Sequence, residues 1–225
     1  DIVYSLCQYG MGNVSAWGAD VGGNCWRTTG DITDTWGSMA GIGFAQGALS
    51  EYAGPGRWND PDMLVVGHVG WGAKTRPCRL TRNEQYTHIS LWCLLASPLL
   101  LGCDLGTLDE FTRSLLTNHE VLDVNQDELG RQATRVWRSG HIEAWAKAMA
   151  DGSLAVGVFN LDHFGARGVV VPLEPLGCKG RQRARDLWRQ KSLGTLSGKL
   201  VTDVPGHGVV LLKLSAAPSG TASAE

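Results

Sequence analysis

CWRTTGDITDTW, residues 25–36, decides how the rest of the chain is read. NCWRTT reads as a strand running into a polar turn. Beyond that turn, Trp36, Met39, Ala40 and Gly43 recur at helical spacing, although glycines weaken a helix. A strand whose polar end opens into a helix is a βα unit, and enzymes built from such units place their working groups at that junction. Arg27 and Asp31 are therefore the first candidates.

Working outward, IVYSLC (2–7) is an upstream strand candidate. MLVVG (63–67) is the next one downstream, after the turn-rich AGPGRWNDPD, and PLLLGCDL (98–105) is a fourth. TRNE at 81–84 is a capping box that opens a helix with Ile89, Trp92, Cys93 and Ala96 on its apolar face, and Pro98 stops it. Residues 109–127 read as one or two short helices. Four strands are half of the eight that close a parallel barrel. DIVYSLCQYG carries no charged leader or cleavage site before it, so the chain is expected to begin in mid-fold. Half a barrel leaves an open sheet edge, which predicts poor stability or aggregation of the chain alone.

From about residue 132 the pattern changes to period two, with Ile142, Ala144 and Ala146 alternating against polar neighbours. Asp151-Gly152 offers a hairpin turn before LAVGVFN. VVVPL, ARDLW, KLVTDV and GVVLLKLS continue as short strands. The expected division is a partial barrel over 1–131, an antiparallel β domain over 132–215 and a small, polar, disordered tail over 216–225.

Length and composition narrow the function. A chain of 225 residues holds one large or two modest domains. Net charge is -2 with no basic block, which argues against nucleic acid. The longest apolar run, 91–103, is broken by Pro98 and is too short to span a bilayer. The six cysteines form no CxxC pair and show no metal spacing, so neither zinc nor any cofactor is expected. Disulfides stay open, with Cys7 and Cys25, at the ends of neighbouring strand candidates, as a possible pair. Nine Trp and 30 Gly suit a protein that handles sugars.

Three strand ends carry polar groups: Cys7-Gln8-Tyr9, Arg27 through Asp31, and Trp58 through Asp62. Carboxylates at two of them, beside an arginine and several tryptophans, suggest a pocket that holds a polyol and moves protons. Plainer readings compete. Asp31 could be a helix N-cap, Arg27 its ordinary ion-pair partner, and Asp60 a turn residue; Asp62 reads as a pocket residue.

The motifs YSLCQYG, CWRTTGDITDTW, AGPGRWNDPDMLVVG, ASPLLLGCDL and VLDVNQDELG occur in that order, with DLW and HGVVLLKL further on. Together they resemble the second half of the melibiases, the α-galactosidases of glycoside hydrolase family 27. The resemblance covers most of the chain. It implies an α/β fold: strands five to eight of a (β/α)8 TIM barrel, followed by an antiparallel β-sandwich. It also implies retaining hydrolysis of terminal α-linked galactose by two aspartates, in a secreted or periplasmic enzyme. Asp31 falls at the acid/base position and Arg27 where the sugar's 2-hydroxyl is bound. Gln8 and Met11 fall where the group on carbon 2 is read, and Asp62 with Met63 lines the pocket.

Other parts of the pattern are missing. The family's nucleophile belongs to a K-x-D motif on strand four, upstream of residue 1, and Asp1 is not placed to serve. The motif that grips the 4- and 6-hydroxyls is also missing. A retaining glycosidase needs two carboxyl groups about 5 Å apart, so the 225-residue chain alone is expected to be inactive. Gln8 stands where α-galactosidases carry Glu; it keeps the reach of Glu without its charge and favours a free 2-hydroxyl over an acetamide. Tyr9 stands where Trp is usual. The open alternatives are a non-catalytic sugar-binding fragment, or a family hydrolase for a β-L-arabinopyranoside, an isomalto-oligosaccharide or an α-N-acetylgalactosaminide. A carbohydrate is the expected partner; the oligomeric state is left open.

Overall fold

The computed structural model describes residues 2–70 and 74–218. Asp1 and the part of the expected tail from 219 onward lie outside them. Three short parallel strands come first: β1 (Ser5–Leu6), β2 (Cys25–Arg27) and β3 (Trp58–Asp60), in that spatial order. Helix α1 (Val14–Trp17) joins the first two. Helix α2 (Trp36–Ala45) and a 3₁₀ turn (Gln46–Tyr52) join the second and third.

The third strand is not MLVVG but the polar Trp58–Asp60, which pairs in parallel with β2 through Trp26↔Asn59. Asn59 tolerates burial because its amide is fully used: Oδ1 accepts from Trp26 Nε1 at 2.9 Å, and Nδ2 donates to Leu49 O and Gln132 Oε1. In MLVVG, Leu64, Val65 and Val66 are buried core residues. Among the described residues that segment pairs with PLLLGCDL only as an isolated parallel bridge, Leu64↔Leu101. In MLVVG the hydrophobicity records burial, not a ladder, whereas Leu100 and Leu101 of PLLLGCDL stay about half exposed.

A small hairpin, β4 (His68–Val69) with β5 (Arg76–Pro77), precedes α3 (Arg82–Leu94). The capping box forms as expected, Thr81 and Glu84 each satisfying the other's backbone N–H. Two short helices follow, α4 (Glu110–Leu116) and α5 (His119–Asn125), capped by Asp109 and Asn118. Helix α2 crosses α3 at Gly43, where a Cβ would come within 2.6 Å of Leu91.

The antiparallel part comprises β6 (Thr134–Ser139), β7 (Ile142–Ala148), β8 (Leu154–Asn160), β9 (Ala166–Pro172), β10 (Gln182–Asp186), β11 (Lys191–Leu196), β12 (Lys199–Val204) and β13 (Val209–Ala216). Six of them form one sheet in the order β11-β10-β13-β8-β7-β6, and β12 pairs with β9 opposite it. Val156, Val158, Val171, Leu200 and Leu212 fill the space between. The sheet's other face is not open to water. Trp145, Phe159 and Leu211 pack with Met39, Leu91 and Leu94 in one core shared with α2 and α3. Each such fully buried large side chain contributes about 1.5–3 kcal/mol, so the two regions hold each other.

The period-two reading of β7 is right in strand type and wrong in what the alternation marks. Glu143 and Lys147, which break the apolar run, are 2% and 4% exposed. Glu143 is met by Arg135 at 2.8 Å and by Trp145 Nε1 at 3.0 Å. All six cysteines are free thiols, so Cys7 and Cys25 are not joined. No described helix is long and apolar enough to cross a membrane.

Candidate active site

Because β1, β2 and β3 are parallel and in register, their C-terminal ends gather at one edge of the sheet. Arg27 closes β2 there. Its Nη2 lies 2.9 Å from Asp62 Oδ2 and 3.1 Å from Asp31 Oδ1, so one guanidinium nitrogen joins the two carboxylates. The two partners differ sharply in environment. The Asp62 side chain is 6% exposed and that of Asp31 73%.

Asp62 is a brace. Its Oδ2 also accepts from Ile32 N at 2.8 Å and its Oδ1 from Met63 N at 2.8 Å. Its backbone, at φ 86°, is fixed by two further bonds, from Asp62 N to Asp60 Oδ1 and from Trp92 Nε1 to Asp62 O. Asp60 is buried beneath it, and that burial raises its carboxyl above the usual range. With each oxygen bonded, Asp62 orients Arg27 and the loop at Ile32.

Asp31 is not a helix cap. Thr35 takes that place, accepting from Ser38 N, and leaves Asp31 projecting from the loop. Downstream, Asp34 is clamped by Arg76 (2.6 and 2.9 Å) and Arg79 (2.8 and 3.1 Å), with Arg79 N adding a fifth donor at 2.8 Å. The Arg76 guanidinium, outweighing the upward push of burial and helped by Arg79, holds the Asp34 carboxyl far below its ordinary range. This clamp is absent from the sequence reading. Its members lie 42 and 45 residues apart, and no local pattern marks the pairing.

Gln8 and Met11 are both exposed, on a turn closed by Met11 N donating to Gln8 O at 2.8 Å. The turn docks on β2 through Gly10 N to Arg27 O at 3.0 Å. Tyr9 places its ring 5.4 Å from the Arg27 guanidinium carbon. Gly10 has φ 78° and sits where a Cβ would come within 2.2 Å of Thr28 O, so only glycine lets the turn approach. Among the described residues no hydrogen bond joins the Gln8 or Met11 side chain to Arg27 or Asp31. Met63 and Asp31 line a cavity of about 780 Å³ with Asp34, Arg76, Leu101 and Cys103. No group of three metal-ligating side chains occurs among the described residues.

A parallel half-sheet with an arginine and carboxylates at its C-terminal edge, backed by a β-sandwich, defines a barrel-type catalytic segment with an appended sandwich module. The chain belongs to the alpha-galactosidase A family: residues 3–127 match that family, and residues 139–214 match the alpha-galactosidase C-terminal beta sandwich domain. It is 37% identical over 216 residues to an alpha-galactosidase of Cyamopsis tetragonoloba, covering 95% of this chain and 50% of that protein. Among solved structures it is similar to alpha-galactosidase I from Mortierella vinacea, with a TM-score of 0.87 at 28% identity, covering 98% of this chain and 60% of that one. A GH27 β-L-arabinopyranosidase from Geobacillus stearothermophilus gives 0.85 at 34% identity, covering 98% and 51%. The chain thus spans about half the length of the relatives it matches.

Proposed function

We propose that the whole protein removes terminal α-linked galactose by retaining double displacement, and that this chain supplies its acid/base half. The observation that carries the reading is the arginine shared between an exposed and a buried carboxylate. Asp62, desolvated and held by three donors, fixes Arg27; Arg27 then fixes the exposed Asp31 at 3.1 Å. In the first step Asp31 gives its proton to the departing glycosidic oxygen, and in the second it takes one from water. Arg27 is assigned to the sugar's 2-hydroxyl, Gln8 and Met11 to the group on carbon 2, and Asp62 with Met63 to the pocket wall. The nucleophile comes from the preceding half of the barrel. Residues 1–131 and 132–215 are taken as the two domains, and a secreted or periplasmic setting suits a hydrolase of external glycosides.

A second substrate has a specific motive. Gln8 differs from the Glu of typical α-galactosidases, and the arabinopyranosidase aligns over nearly the whole chain. The first assay is nitrophenol release from α-galactoside and β-L-arabinopyranoside by the chain alone and by a protein extended upstream through the barrel. Turnover by the extended protein alone, lowered by about 10²–10⁴ in Asp31→Ala, is the expected result. Turnover by the short chain, or an Asp31→Ala variant as fast as its parent, overturns the assignment.

A further inference from the structure

His207 lies in the sandwich turn between β12 and β13, yet its contacts are with the beginnings of α2 and α3. Its ring stacks on Trp36, the first residue of α2, with centroids 3.9 Å apart and planes 9° from parallel. Its Nδ1 is 2.7 Å from Glu84 Oε1, while the other oxygen of Glu84 accepts from Thr81 N in the capping box. Its carbonyl accepts from Thr87 Oγ1 at 2.8 Å, and its own N donates to Asp162 O at 2.8 Å. His207 has φ 48°, which a non-glycine residue keeps only when its surroundings fix it. Gly206 beside it could not carry a Cβ, which would come within 1.9 Å of His163 O.

Trp36 is where the loop carrying Asp31 ends. That loop is fixed at Arg27 and Ile32 through Asp62, and at Asp34 through Arg76 and Arg79. Its downstream end is fixed by the His207 ring. We propose that His207 is a positioning residue: from the sandwich, through its stack on Trp36, it sets the place of Asp31 and so the efficiency of proton donation. This rests on the reading of Asp31 as the acid/base. A displacement of about 1 Å at a catalytic group costs up to ~10²-fold, so a lost stack has a measurable effect without direct contact.

The readout follows from general acid chemistry. An alkoxide leaving group needs the proton of Asp31, whereas a dinitrophenolate departs without it. In the full-length protein, His207→Gln keeps a donor for Glu84 and removes the ring; His207→Phe keeps the ring and loses the donor. We expect His207→Gln to lower kcat/KM, which reports the glycosylation step alone, about tenfold on an alkyl or sugar α-galactoside and less than about twofold on the dinitrophenyl one. His207→Phe is expected to keep most of the parent rate on both. Equal losses of kcat/KM on both substrates, or a lower melting temperature with unchanged kcat/KM, overturn the proposal. If His207→Gln does not fold, Trp36→Leu removes the same stack from the other side and is held to the same outcome. Asp31→Ala, run alongside, separates the two ideas: if it shows no leaving-group dependence, the role of Asp31 fails rather than that of His207.

Discussion

At the scale of single residues, the site is organised by one fully occupied carboxylate. Asp62 accepts from three donors: Ile32 N, Met63 N and Arg27 Nη2. An amide in its place must turn an NH2 group toward one of them, leaving a buried donor unpaired at about 1–3 kcal/mol. Asp62→Asn, isosteric and uncharged, is therefore expected to lower the melting temperature and to release Arg27, reducing kcat/KM of the full-length enzyme by at least about tenfold. Thermal unfolding and steady-state kinetics check both halves; a variant matching its parent in either refutes the brace. Arg27 and Asp31 were legible because they share one turn at the end of a recognisable strand. The sequence singles out Asp62 as a pocket residue, but its bracing of Arg27 depends on a positive φ and on donors from three segments, which no spacing encodes. The Arg76 and Arg79 clamp on Asp34 was not legible for the same reason.

At the scale of elements, what went unread was burial on two faces. MLVVG looked like a strand because it is apolar, and Trp58–Asp60 did not because it is polar; pairing went to the polar segment once its side chains had partners. In β7 the same two-sided burial leaves Lys147 in the interior, its Nζ without a hydrogen-bond partner among the described residues. Burial lowers its pKa to about 8, against the partial opposing pull of Asp127. In the unfolded chain it titrates near 10.4. Between these values the unfolded state binds the extra proton, so stability rises with pH from about 8 to about 10.4; below 8 the cost of burying the charge is fully present. That cost is about 3 kcal/mol. Lys147→Met, which fits the same space without charge, is expected to raise stability at pH 7 and to flatten the rise toward pH 10. Denaturant midpoints of variant and parent at the two pH values test it, and parallel curves count against it.

At the scale of the whole molecule, the sandwich side of the chain is closed and the barrel side is open. The shared core of Met39, Leu94, Trp145, Phe159 and Leu211 ties α2 and α3 to the six-stranded sheet, and the His207 turn ties them again from the edge. On the other side, among the described residues, β1 pairs only with β2. Ile2 and Val3 are 91% and 77% exposed there, and Leu100 and Leu101 roughly half exposed. Ile2, Val3, Leu99, Leu100 and Trp58 line an open cavity of about 680 Å³. A free parallel edge beside contiguous apolar surface is a template for association. The 225-residue chain by itself is therefore expected to self-associate at micromolar concentration and to bind a hydrophobic dye, while the protein extended upstream through the barrel does neither. Sedimentation velocity across a concentration series decides it. If the short chain sediments as a monomer without dye binding, the exposed edge is not a liability, and the complementary half contributes chemistry rather than cover. If it associates and the extended protein does not, the upstream strands shield the hydrophobic face that β1 and the 98–105 segment leave bare.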